Sequence, residues 1–280
     1  MDSELVALIR RRSRRIRPRG TDTATGGRLP RTPKAVLFDV YGTLLVRRGG
    51  DPGPVSRSGS RTLETRLEEA ISAVHARMRR RGIRHPEVDI QEIWKGLFPG
   101  RRPSDLRRRI VQYELSRHPC WPMPGARRLI AGLGGLGLAL GIVSNAQFYT
   151  PLFLEALLGG PLEQIGFHRE LCFFSWRRRR AKPGPELFEQ AAGALAARGI
   201  SRGEILVVGN DPVNDVQPGA AAGFMTARLV ADGRSLADAS PAARDIRPDV
   251  SLGRLADLLA IISPHGRKHQ KNSTRSSSRG

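Results

Sequence analysis

Apolar residues fall along this chain in short continuous runs, separated by longer stretches of mixed character. KAVLFDV (34–40) is such a run, closing around Asp39 and followed by a Gly-containing turn, YGT. Four more resemble it: LALGIVSN (138–145), LCFFSW (171–176), EILVVGN (204–210) and TARLV (226–230). Runs without apolar–polar alternation predict strands buried on both faces, as in a parallel sheet. Between them the spacing turns helical: Gly125–Gly135 after Pro124, Pro185–Arg198 before Gly199, Asp215–Ala222 before Gly223, and Leu252–Ile262. Glycines just past the ends are the usual helix stop. The alternation predicts an α/β fold with a doubly wound parallel sheet.

Residues 47–122 break the pattern. No strand is readable there, and RTLETRLEEAISAVHARMRRRG has helical spacing through Leu63, Leu67, Ile71, Val74 and Met78. IQEIWKGLF and SDLRRRIVQYELSR read as two further helices. The expected division is therefore a core over 34–46 and 123–262, a helical cap over 47–122, and polar tails over 1–33 and 263–280. Both tails are rich in Arg, Gly, Ser, Thr or Pro and are expected to be disordered, with a short helix near Glu4–Arg15.

Charge changes the picture of partners. The chain of 280 residues carries a formal net charge of +21, with hydrophobic residues at 39%. Residues 1–34 hold ten Lys/Arg against three Asp/Glu, and residues 263–280 hold five against none. Such an excess favours anionic partners: a phosphorylated substrate, or nonspecific polyanion contact through the tails. The tails lack aromatics for base stacking, and no DNA-binding motif is visible. Cys120 and Cys172 have no paired spacing, so neither a disulfide framework nor a zinc site is expected. Leu129–Val143 contains five glycines and splits into helix, turn and strand, so no membrane span is expected and a cytoplasmic protein is.

In open α/β sheets, ligands sit beyond the carboxyl ends of the strands. Here those ends carry Asp39, Tyr41 and Thr43; Ser144 and Asn145; then Lys182 after the third run; then Asn210, Asp211 and Asp215. Singly, each is an ordinary turn, cap or surface residue. Together they converge carboxylates, a lysine and hydroxyl or amide donors on one rim.

FDVYGTLL, IVSNA, AKPGPELF and VVGNDPVND…GAAAG, in that order, resemble the four motifs of the haloacid dehalogenase superfamily, in its subclass with a helical cap after the first motif. The resemblance spans roughly Lys34 to Val230. It implies a hydrolase in which Asp39 is the covalent nucleophile. Thr43, Ser144 and Asn145 would hold the transferring group, and Lys182 would neutralise charge. Asp39, the Tyr41 carbonyl and Asp211 would hold Mg²⁺, with Asn210 and Asp215 behind them. The activity expected on this basis is Mg²⁺-dependent hydrolysis of a small phosphomonoester through an aspartyl-phosphate.

Two departures qualify that expectation. Superfamily phosphatases carry an Asp general acid two residues after the nucleophile, where this chain has Tyr41 as 2-haloacid dehalogenases often do. Asn210 stands in the place of the first acid of the fourth motif. Asp211 and Phe188 pull towards a phosphatase. Metal-free dehalogenase-like chemistry, or a weakly active polyanion-binding relative, is the alternative.

Overall fold

The structure, a computed structural model, describes residues 2–47, 62–233 and 243–263. In chain order the elements are α1 (Asp2–Arg12), β1 (Gly26–Gly27), β2 (Ala35–Phe38) and β3 (Leu45–Arg47), then α2 (Leu63–Arg80), α3 (Ile90–Leu97) and α4 (Pro103–Arg117). They continue with β4 (Cys120–Pro122), α5 (Ala126–Gly135), β5 (Ala139–Ser144), α6 (Thr150–Leu158), β6 (Cys172–Phe174), α7 (Ser175–Arg178) and α8 (Glu186–Ala196). β7 (Ile205–Gly209) leads through a π-helical turn, Pro212–Val216, into α9 (Gln217–Ala221). β8 (Met225–Leu229), β9 (Val250–Leu252) and α10 (Asp257–Ile262) complete the set.

The five apolar runs form five adjacent strands of one sheet, ordered β1-β9-β8-β7-β2-β5-β6, with β6 at its edge. Every neighbouring pair is parallel except β1–β9. All four residues of β2 are buried, because β2 lies between β5 and β7 with helices on both faces. That explains why the run has no polar alternation. The ladder continues one residue past β2, where the Asp39 N–H donates to the Val208 carbonyl at 2.9 Å. Asp39 thus leaves the sheet at its middle, flanked by the ends of β5 and β7.

Several expectations need correction. Residues 1–33 are not a disordered tail. Leu5, Val6, Leu8 and Ile9 make a narrow apolar stripe on α1, and all four are buried. The stripe packs in one core with the apolar residues of α6, whose sequence TPLFLEALL offers no polar face to solvent. Composition hides this, since four residues among many arginines suffice. Beyond α1 the arm runs along the fold: the Arg19 N–H donates to Asp232 Oδ1 at 2.9 Å, and Gly26–Gly27 pair with β9. Gly27 has φ +92°, and a Cβ there would lie 2.2 Å from the Asp249 carbonyl oxygen, so this edge requires glycine.

The block 47–122 is not free of strand, because Arg47 ends β3 and Cys120–Pro122 form β4, its antiparallel partner. Both are too short to show a period. Leu252 belongs to β9 rather than to the last helix, and Asp215 to the π turn that precedes α9. The expectation for 263–280 lies, beyond Ser263, outside the described residues. No described helix is long and apolar enough to cross a membrane.

If α1 is part of the fold, Ile9→Ala should lower unfolding free energy by about 2–4 kcal/mol, the usual cost of emptying a fully buried aliphatic site. Urea denaturation measures it. An unchanged midpoint would mean that the arm does not contribute.

Candidate active site

The rim of the sheet gathers the site. Lys182 enters it from the segment between α7 and α8, and its ammonium is buried. An ammonium has three donors, and here all three are used. Nζ donates to Asp39 Oδ1 at 2.8 Å, to the Val143 carbonyl at 3.1 Å and, very closely, to Asp215 Oδ1. Ser144 Oγ also donates to Asp39 Oδ1, at 3.0 Å. Asn145 fixes the lysine's backbone from the next position: its Oδ1 accepts from the Lys182 N–H at 2.7 Å and its Nδ2 donates to the Lys182 carbonyl at 3.0 Å.

Electrostatically, one cation sits between two carboxylates, leaving one net negative charge in a dry place. Burial alone works against the lysine's charge, but Asp215 and Asp39 outweigh it and hold its pKa above the ordinary value. Burial pushes the Asp215 carboxyl up to about 6, with Asp39 adding to the rise and Lys182 opposing it. Gly209 leaves room for this carboxylate, since a Cβ there would meet the Asp215 side chain at 2.2 Å.

The other expected residues divide. Thr43 lies beside Asn210, with Oγ1 donating to Asn210 Oδ1 at a long 3.4 Å. The turn between them is tight: Gly42 has φ +85°, and a Cβ there would lie 2.6 Å from Asn210 Oδ1. The Tyr41 hydroxyl is bonded to Thr150 Oγ1 at 3.0 Å, and the Arg47 guanidinium covers its ring at 4.8 Å. Burial raises the Tyr41 phenol well above its ordinary pKa, which makes it a poor proton donor. Thr150 and Arg47 carry no sequence signal for this role. Arg47 is held in turn by Glu114 of α4, at 2.7 Å.

The Asp211 side chain makes no hydrogen bond or ion pair with Asp39 or Lys182. Its Oδ1 accepts from the Val213 and Asn214 N–H groups at 2.9 and 3.1 Å, and its Oδ2 accepts from Asn214 Nδ2 at 2.6 Å. It is the N-cap of the π turn, and Asp215 Oδ2 accepts the Asp211 N–H at 3.0 Å. A divalent cation therefore finds fewer open ligand positions in the expected set than the resemblance implies. Asp211 spends three of its four acceptor positions within the π turn, Asp215 is tied to Lys182, and Asn210 brings no charge. Among the described residues no three His, Cys, Asp or Glu side chains are grouped to hold a metal ion. The expected Mg²⁺ set of Asp39, the Tyr41 carbonyl and Asp211 holds two carboxylates, of which Asp39 is bonded to Lys182 and Asp211 is bonded within the π turn.

Comparison with known proteins decides the family. Residues 33–223 match the family model described as haloacid dehalogenase-like hydrolase. The chain belongs to that family. Among solved structures, this haloacid dehalogenase-like hydrolase is similar to a 2-haloacid dehalogenase from Pseudomonas syringae pv. Tomato DC3000, at 16% identity and TM-score 0.51, over 82% of this chain and 98% of that one. It is similar also to a predicted phosphoglycolate phosphatase from Haemophilus somnus 129PT, at 16% identity and TM-score 0.50, over 84% and 100% of the two chains. At that identity the likeness is one of fold. No curated relative matches the sequence.

Replacing Lys182 by Met in this hydrolase would leave two buried carboxylates without their cation. The expected cost is about 3–5 kcal/mol in urea unfolding, and K182M/D215N should recover part of it. Equal stability of K182M and wild type would contradict the buried ion row.

Proposed function

We propose that this haloacid dehalogenase-like hydrolase displaces a halide from a small 2-haloacid, without a metal, through an ester on Asp39. The observation that carries the reading is the row Asp39–Lys182–Asp215, together with Tyr41 and Asp211 being occupied elsewhere. In phosphoryl transfer the alkoxide departs in line, on the side opposite Asp39 and so away from Lys182 and Asp215. Tyr41, two places on, is a poor proton donor for it. A halide needs none. This favours displacement at carbon over phosphomonoester hydrolysis, which the family motifs also allow.

Each residue has a part in the sequence. Ser144 and Lys182 hold Oδ1 of Asp39, and no hydrogen bond from the described residues reaches Oδ2. Oδ2 is therefore the attacking oxygen. It bonds to C2 of the substrate as the carbon–halogen bond breaks, and the halide departs with the bonding pair. The Lys182 charge offsets repulsion between Asp39 and the anionic substrate. Water then adds to the Asp39 carboxyl carbon and passes a proton to Asp215, whose raised pKa suits a base. Collapse breaks the bond from that carbon to the ester oxygen. The departing alkoxide takes back the Asp215 proton, the second water proton goes to solvent, and a 2-hydroxy acid leaves. The helices α2–α4 would close over this site as a lid.

The test is chloride release from 2-chloropropionate in EDTA. Wild type should turn over, and Asp39→Asn should not. Asp215→Asn should release about one equivalent in a burst and then slow by about 10²–10⁴-fold. The wild-type rate should fall as pH drops through about 6, because Asp215 must be charged to act as the base. Turnover of p-nitrophenyl phosphate with Mg²⁺, and none of 2-chloropropionate, would overturn the reading in favour of a phosphatase.

A further inference from the structure

A groove of about 380 Å³ lies between the chain just after α1 and the start of α5. Its walls carry Arg15, Arg17, Arg127 and Arg128, and no acidic residue lines it. The floor is apolar, with Trp121 and Pro124 among its residues. None of the side chains around Asp39 takes part.

Stability does not account for Arg15 and Arg128. Arg127 and Arg128 sit in the first turn of α5, at the positive end of the helix dipole, where cations are disfavoured. That turn holds no acidic residue, and its N-cap, Gly125, offers no side-chain acceptor. The guanidinium of Arg127 lies against Gly159 at the carboxyl end of α6, which relieves part of the conflict. Arg128 and Arg15 make no hydrogen bond or ion pair among the described residues. Like charges are thus brought together by the fold, and for Arg15 and Arg128 no counter-charge lies among the described residues.

We propose that this groove binds single-stranded nucleic acid. Arginine forks match phosphate oxygens, and an apolar floor with an indole gives a base a surface to stack on. A convex duplex would meet only the rim. The folded N-terminal arm therefore does more than add diffuse charge: it places Arg15 and Arg17 opposite α5.

The test uses the full chain and fluorescein-labelled dT12, followed by anisotropy at 50 and 200 mM NaCl. R15Q/R128Q should weaken binding at least tenfold and reduce the slope of log K against log salt by about 1.4, two phosphate contacts at about 0.7 each. R79Q/R80Q removes the same charge from the exposed end of α2 and should change binding less than about twofold. Equal weakening by the two double variants would reduce the effect to net charge and overturn the proposal. So would an absence of binding at 50 mM, or competition by poly-L-glutamate as effective as that by unlabelled dT12. Matching thermal melts of the variants exclude a folding effect.

Discussion

A single buried ammonium between two carboxylates sets most of what surrounds it. Lys182 has three donors and three fixed acceptors, so its position depends on β2, β5 and β7 ending at the same level. Removing any partner leaves a charge or polar atom in a medium that solvates it poorly. The parallel sheet is the scaffold that makes this affordable, since three neighbouring strands deliver Asp39, the Val143 carbonyl with Ser144, and the approach to Asp215. Asn145 locks the lysine's backbone with two hydrogen bonds and so limits where the ammonium can go. The chemistry proposed for Asp39 rests on that confinement: one oxygen is held, and no hydrogen bond from the described residues reaches the other.

Much of this was legible from residue order. Continuous apolar runs identify strands buried on both faces, and polar residues at their ends identify the rim. What escaped has physical reasons. The π turn and the cap role of Asp211 depend on backbone N–H directions at Val213 and Asn214, which spacing does not encode. An aspartate beside Asn210 reads as a metal ligand, and its three hydrogen bonds within the π turn are visible only in the folded chain. The contact of Tyr41 with Thr150 joins residues 109 apart in sequence, and Thr150 opens an apolar helix with nothing to mark it. Strands of two or three residues, such as β1, β3, β4 and β9, are too short to carry a period. The arm at 1–33 misled through its composition, because α1 needs only Leu5, Val6, Leu8 and Ile9 to dock.

The arm and the site are linked through the sheet's edges and the helices between them. α1 touches α6 and, through the Arg107–Asp2 ion pair at 2.7 Å, also α4. α4 in turn supplies Glu114 to Arg47, which covers Tyr41. A chain of packed and charged contacts thus runs from α1 to Tyr41, two places after Asp39.

The central claim, that Asp39 forms an ester at carbon that water opens at the carboxyl group, is tested most directly by oxygen labelling. A single turnover of 2-chloropropionate in H₂¹⁸O, followed by mass spectrometry of the peptide containing Asp39, locates the new oxygen. The account predicts one ¹⁸O in Asp39 and an unlabelled 2-hydroxypropionate. Label in the product and none in Asp39 would mean that water attacks the substrate directly, and would contradict it.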